Sequence, residues 1–207
     1  MKGLILKDLY QAARYCRTML LILIVFLGVS LVTPANAFYT YYPCLLISMI
    51  PITLISYDER SHWDQYSVAL PCSRAQVVGG KYIVGLILSA AVLVISLIAA
   101  AVRGVIAKQP MTGPEVLATA ELMAAVSLGA PALSMPWFFK LGAEKGRIAY
   151  YAAFGLFFGG AAVLSRAVAE TKITAFSGSL HLALGVIAVL YAASWALSAA
   201  LYRNKEF

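Results

Sequence analysis

Residues 82–102 read YIVGLILSAAVLVISLIAAAV, an apolar run without one charged side chain. A helix needs roughly 20 such residues to cross the hydrocarbon core of a bilayer. The run reads as a membrane span, and the fold follows from finding its companions. Five further stretches share its character: about Thr18 to Val32, with an extension to Ala37; Phe38 to Tyr57; Leu117 to Phe139; Ile148 to Ser165; and Leu180 to Tyr202. The expectation is an all-α polytopic membrane protein with six transmembrane helices, forming one domain over residues 1–207. Residues 32–37 partly match a signal-peptide cleavage site. The second span follows almost at once, so the first is kept as a span.

Composition agrees. Of 207 residues, 62% are hydrophobic and 12% charged, where a soluble domain carries about 45–50% and about 25%. Mean hydropathy is +0.84. So short a chain has too little interior to hide that much apolar surface from water. A soluble enzyme, a disordered tail and a conventional nucleic-acid binder are excluded on this ground. The net charge of +7 reads as cations beside lipid headgroups. With the N-terminus in the cytoplasm, twelve of the sixteen basic residues fall on the cytoplasmic side and only Arg103, Lys108, Arg166 and Lys172 fall outside. The positive-inside rule selects this orientation, with both termini cytoplasmic. Cys16, Cys44 and Cys72 lie far apart and form no recognisable metal or disulfide spacing.

Residues 2–17 read as an amphipathic interfacial helix. Ile5, Leu9, Ala12 and Cys16 share one face; Lys7, Tyr10, Arg14 and Arg17 share the other. It serves as a membrane anchor or as an elbow that also meets a cytoplasmic partner.

The longest polar stretch, residues 57–81, reads YDERSHWDQYSVALPCSRAQVVGGK. Ser61 is placed to cap a short helix ending before Pro71, with Trp63, Tyr66 and Leu70 on one face. Ser73 and Gln76 form a second capping box that starts the helix of the third span. The aromatic face suits docking into a groove of a soluble partner. It equally suits a helix lying on the lipid with interfacial aromatics.

At this point the sequence resembles the small permease subunits of type-2 ABC exporters, and most of all those of bacterial peptide exporters such as phenol-soluble modulin exporters. The carrying features are the opening MKGLILKDLY, the six spans, and the loop DERSHWDQYSVALPCSRAQVVGGKY. Such permeases commonly open Met-Lys-Gly-Leu-Ile-Lys-Lys-Asp-Leu, and carry a Trp-Asp-x-Tyr stretch and a Leu-Pro-x-Ser-Arg turn after the second span. The resemblance implies a non-catalytic permease in the bacterial plasma membrane, with two permease copies paired to two ABC ATP-binding subunits that bind ATP and magnesium. It implies that the segment from Ser61 to Leu70 is a coupling helix. Asp58, Glu59, Arg60, Ser61, His62, Trp63, Asp64, Gln65, Tyr66, Leu70 and Arg74 would then couple to the ATPase subunit, and residues 2–17 would be the elbow. The implied substrate is an amphipathic peptide or lipid-like molecule.

No catalytic or metal constellation is legible. The nearest piece to a P-loop is Gly79-Gly80-Lys81-Tyr82, with Ala75 at the first glycine and Tyr82 at the magnesium hydroxyl. His62 and His181 are isolated and fall on opposite sides in this topology. Glu121 is the one acid placed clearly inside a span; it is either an interfacial carboxylate or a contact on a translocation pathway. Pro51, Pro131 and Pro136 should kink their helices. Gly155 with Gly159, and Ala192 with Ala196 and Ala200, offer close helix packing. Two alternatives stay open beside the exporter: a membrane anchor or assembly scaffold, and an ATPase-independent secondary transporter. The second would need buried charge pairs near mid-membrane.

Overall fold

The structure is a computed structural model that describes residues 2–32, 37–68, 72–108, 112–170 and 179–203. The described residues form eight helices and no strand: α1 (Lys2–Tyr15), α2 (Arg17–Val32), α3 (Ala37–Ser48), α4 (Ile50–Arg60), α5 (Trp63–Val68), α6 (Arg74–Ile106), α7 (Gly113–Glu170) and α8 (Ser179–Arg203).

Many apolar residues of α6 turn outward. Ile83, Leu86, Ile87, Val94, Ile95, Ile98 and Val102 are exposed and recur at helical spacing. The buried face sets small residues, Gly79, Gly80, Gly85, Ser89, Ser96, Ala100 and Gly104, among Val77, Val78, Lys81, Tyr82, Val84 and Val92. Water would penalise such a helix, whereas lipid accepts the outer stripe and small inner residues let helices approach closely. Buried hydroxyls need partners where water is excluded, and Ser56 and Ser134 donate to the carbonyls of Ile52 and Ala130. Three described stretches are long and apolar enough to cross a membrane: Arg74–Ile106, Gly113–Ala143 and Leu184–Arg203. Helices α1 and α2, bent by 71° at Cys16, make a fourth if counted as one broken span.

The remaining two expected spans differ from a simple rod. Residues 38–57 divide at Met49 into α3 and α4. Pro51 has no N–H to donate to the carbonyl of Ile47, and Met49 donates instead to Leu46 at 3.2 Å. Residues 148–165 are helical but belong to α7, which has no loop after Phe139. Its only interruption is Gly142 at φ 79°, ψ 178°. The reading of Glu121 gains a position: it is half-buried in the first limb of α7. Gly159 and His181 have no described side-chain surroundings.

Helix α6 begins eight residues before the expected span, because Ser73 caps it. Gln76 N–H donates to Ser73 Oγ at 3.2 Å, and Ser73 N–H donates to Gln76 Oε1 at 3.0 Å. At 1.5 Å per residue its 33 residues reach about 50 Å, past the roughly 30 Å hydrocarbon core. Part of the helix therefore stands clear of the acyl chains. Replacing Ser73 with alanine should cost about 1 kcal/mol, read as a lower denaturation midpoint in detergent. An unchanged midpoint would show that the box contributes nothing.

Two clusters fill the interior. Ile52, Val78, Tyr82, Met135, Phe138 and Tyr202 join α4, α6, α7 and α8 at the end where α6 starts, the base of the bundle. Cys16, Leu23, Cys44, Leu54, Val84 and Met123 join α2, α3, α4, α6 and α7 around the end of α1. Tyr82 links the base further. Its hydroxyl shares hydrogen bonds with Ser194 and Ser198 of α8 at 2.7 and 2.8 Å, and Tyr191 donates to its carbonyl at 2.8 Å. Gly85 lets Pro51 and Tyr191 in: a Cβ there would lie 3.1 Å from Pro51 Cγ and 3.2 Å from the Tyr191 hydroxyl.

Candidate functional site

The charged residues gather at the base. Asp8 of α1, Asp58 of α4 and Lys81 of α6 are 3, 4 and 3% exposed. Lys81 Nζ lies 2.8 Å from Asp8 Oδ1 and also pairs with Asp58 Oδ2. Lys7 Nζ donates to both oxygens of Asp58 at 2.9 Å and lies 3.1 Å from Asp8 Oδ1. Two ammonium groups and two carboxylates thus alternate around one point and cancel. An isolated buried charge would be expelled or neutralised, whereas a closed set with hydrogen bonds persists. The lock binds three elements that local sequence keeps apart: α1, the end of α4 and the start of α6.

Lys7 extends the lock to α5. Its ammonium sits 4.2 Å from the centroid of the Trp63 ring, a cation–π contact. Trp63 packs against Tyr66 with ring centroids 5.3 Å apart, and Tyr66 is 58% exposed. Helix α5 therefore shows an aromatic ring outward while its first residue rests on the charge lock.

Further contacts fasten neighbouring segments. Glu59 accepts the backbone N–H of Ala143, the first helical residue after the Gly142 break. A carboxylate there satisfies an orphan amide and meets the positive end of the helix dipole. Arg74 donates to the carbonyl of Arg203 at 2.7 Å, satisfying an end group of α8. Tyr15 and Tyr57 stack at 4.8 Å.

The residues expected to face a partner thus separate into groups. Arg60, Ser61, His62, Gln65 and Tyr66 are exposed, and Trp63 is half-buried. Asp64 lies in α5 with its side chain outside the described set, and Leu70 lies outside the described residues altogether. Asp58 turns inward to Lys7 and Lys81; Glu59 is exposed yet accepts from Ala143 N–H, and Arg74 turns to α8. These three are engaged within the chain, because burial or a helix end gives each a closer partner. The start of the expected short helix is corrected. Ser61 does not start it; α4 continues to Arg60, and Ser61 ends α4 with its hydroxyl donating to the carbonyl of Asp58 at 3.1 Å. The break falls at His62, whose φ of 53° lies in the left-handed region. Lys7, Asp8 and Lys81 were missed as site residues. Asp8 carried a signal: at three residues from Ile5 and four from Ala12, it sits on the apolar face of the N-terminal helix.

An outward apolar surface, several helices fit to span a bilayer and an internally neutralised base define a multi-pass α-helical membrane protein. Residues 3–203 match the ABC-2 family transporter proteins. The chain belongs to that family and is a membrane component of a transporter. No curated protein and no solved structure gives a significant match.

Proposed function

We propose that the chain is the permease subunit of an ATP-driven exporter. In this reading α2, α3 with α4, α6, the two limbs of α7, and α8 make six spans in a bacterial plasma membrane. Both termini face the cytoplasm, and α1 is the interfacial elbow. Two permease copies assemble with two ABC ATP-binding subunits, which hold ATP and magnesium. Helix α5, with Tyr66 outward, inserts into a cleft of the ATP-binding subunit. An amphipathic peptide or lipid-like molecule crosses between the permease spans, and Glu121 contacts it if it is cationic.

The observation that supports this most is the seat of α5. Trp63 rests on Lys7, and Lys7 joins Asp58 and Asp8, which in turn hold Lys81. A push on α5 therefore reaches α1, α4 and α6 together, which is what coupling between nucleotide state and spans requires. Such a push shifts a conformational equilibrium only by its differential effect on the two states. Tyr66→Ala tests the docking face, since that ring is exposed and its removal leaves the lock intact. Co-purification with the ATP-binding subunit should fall about tenfold or more, as for a central aromatic anchor, while the permease stays monodisperse. Undiminished co-purification with stimulated ATPase activity would remove α5 as the docking element.

A further inference from the structure

Beside the charge lock, α1 and the α4–α5 turn border an open cleft of about 550 Å³. Lys7, Gln11, Arg14, Tyr15, Asp58 and Trp63 are among the residues that line it. Two of them carry buried polar atoms without a hydrogen-bond partner, Trp63 Nε1 and Gln11 Oε1. An indole N–H only donates, so Trp63 calls for an acceptor. Asp58 is held by Lys7 and Lys81 and the lock is neutral as a whole, so Arg14 leaves the cleft with a net positive charge.

Position narrows the acceptor. Tyr15, on the cleft wall, lies two residues before Arg17, the first residue of α2. Leu21, Ile24 and Val25 of α2 are exposed apolar residues suited to acyl chains. The headgroup plane of the bilayer therefore passes the start of α2, beside the cleft. Exposed Leu6 and Tyr10 on α1 are interfacial in kind.

We propose that this cleft binds the headgroup of an anionic glycerophospholipid. Arg14 pairs with the phosphodiester charge, and a small turn of the Trp63 ring uncovers its buried N–H to donate to a phosphate oxygen, a charge-assisted hydrogen bond. A headgroup hydroxyl donates to Gln11 Oε1, which favours phosphatidylglycerol. The bound lipid would brace α1 against α5 from the membrane side. The site rests on membership of a membrane family and on the cleft, and needs no ATPase.

Native mass spectrometry of the full chain in neutral detergent tests it, with equal amounts of phosphatidylglycerol and phosphatidylcholine and no ATP-binding subunit present. One phosphatidylglycerol should be retained in preference to phosphatidylcholine. Trp63→Phe keeps the ring over Lys7 and removes the N–H; Arg14→Gln removes the charge. Each should weaken retention roughly tenfold, the scale of one hydrogen bond or ion pair to an ionised oxygen. If Trp63→Phe fails to fold, Arg14→Gln, an exposed substitution, carries the test. Equal retention of the two lipids, or unchanged retention in Arg14→Gln, overturns the site. Capture of soluble glycerol 3-phosphate as tightly as the lipid overturns the lipid assignment in favour of a free phosphoester. Because no nucleotide is present, failure of the exporter reading leaves this result unaffected.

Discussion

Lys81→Met should lower the stability of the protein by about 3–5 kcal/mol, the usual cost of removing one partner from a buried ion pair. The substitution keeps the length and apolar stem of the side chain, so packing against α1 and α4 is largely retained. What changes is charge. Asp8 and Asp58, each almost fully buried, would share Lys7 alone, whose side chain is 27% exposed. One buried carboxylate is then left without compensation. Since a whole domain is stable by only about 5–15 kcal/mol, the variant should show a much lower denaturation midpoint in detergent micelles and a large aggregated fraction. The double variant Asp58→Asn with Lys81→Met removes one charge of each sign and leaves Lys7 to Asp8. Its loss should be well below the sum of the two single losses, because residues in one network are not additive. A Lys81→Met protein as stable as the unaltered chain would mean that water reaches the four charges and that they fasten nothing. Strict additivity would mean that Asp58 and Lys81 act separately.

The lock also shows why the sequence reveals some features and hides others. The Ser73–Gln76 capping box was legible because both partners lie within one helical turn. The apolar stretches in α6, the first limb of α7 and α8 were legible because hydropathy is a property of each segment alone. By contrast, Lys7 meets Asp58 across 51 positions and Lys81 meets Asp8 across 73. No periodicity spans such gaps, so Lys81 read as an ordinary basic flank of a span and Asp58 as a loop residue. Ser61 satisfies a capping pattern in both directions, and only the path of α4 decides that it ends a helix. The break in the second span was partly legible: Pro51 marked a kink, but the helix parts two residues earlier, at Met49, itself a good helix former. Most easily overlooked was Gly142. In sequence it stands between Leu141 and Ala143 as an unremarkable small residue, yet it turns the chain at the base of α7.

Gly142→Ala should therefore cost about 2–4 kcal/mol, far above the effect of alanine at an ordinary helical glycine, where it is favourable. At φ 79° and ψ 178° the backbone occupies a region open essentially to glycine alone, and a residue with a Cβ pays about 1–3 kcal/mol of strain there. A second term comes from Glu59. The new methyl would lie 2.6 Å from Glu59 Oε1, so the carboxylate must swing away. Ala143 N–H then loses its acceptor, a cap loss of about 1 kcal/mol. The two terms separate in a cycle. In a Glu59→Ala background the cap is already gone and the methyl meets no carboxylate, so Gly142→Ala should cost only the backbone share. Denaturation midpoints of the four proteins in detergent supply the numbers. Equal costs in both backgrounds would show that Glu59 does not hold the turn, and no cost in either would show that residue 142 readily leaves this conformation. If the cycle closes as expected, the segment carrying α5 and the break in α7 are one mechanical unit. Movement imposed on Glu59 from α4 would then act directly on the helix that starts at Ala143, a second route from the base into the spans beside the one through Lys81.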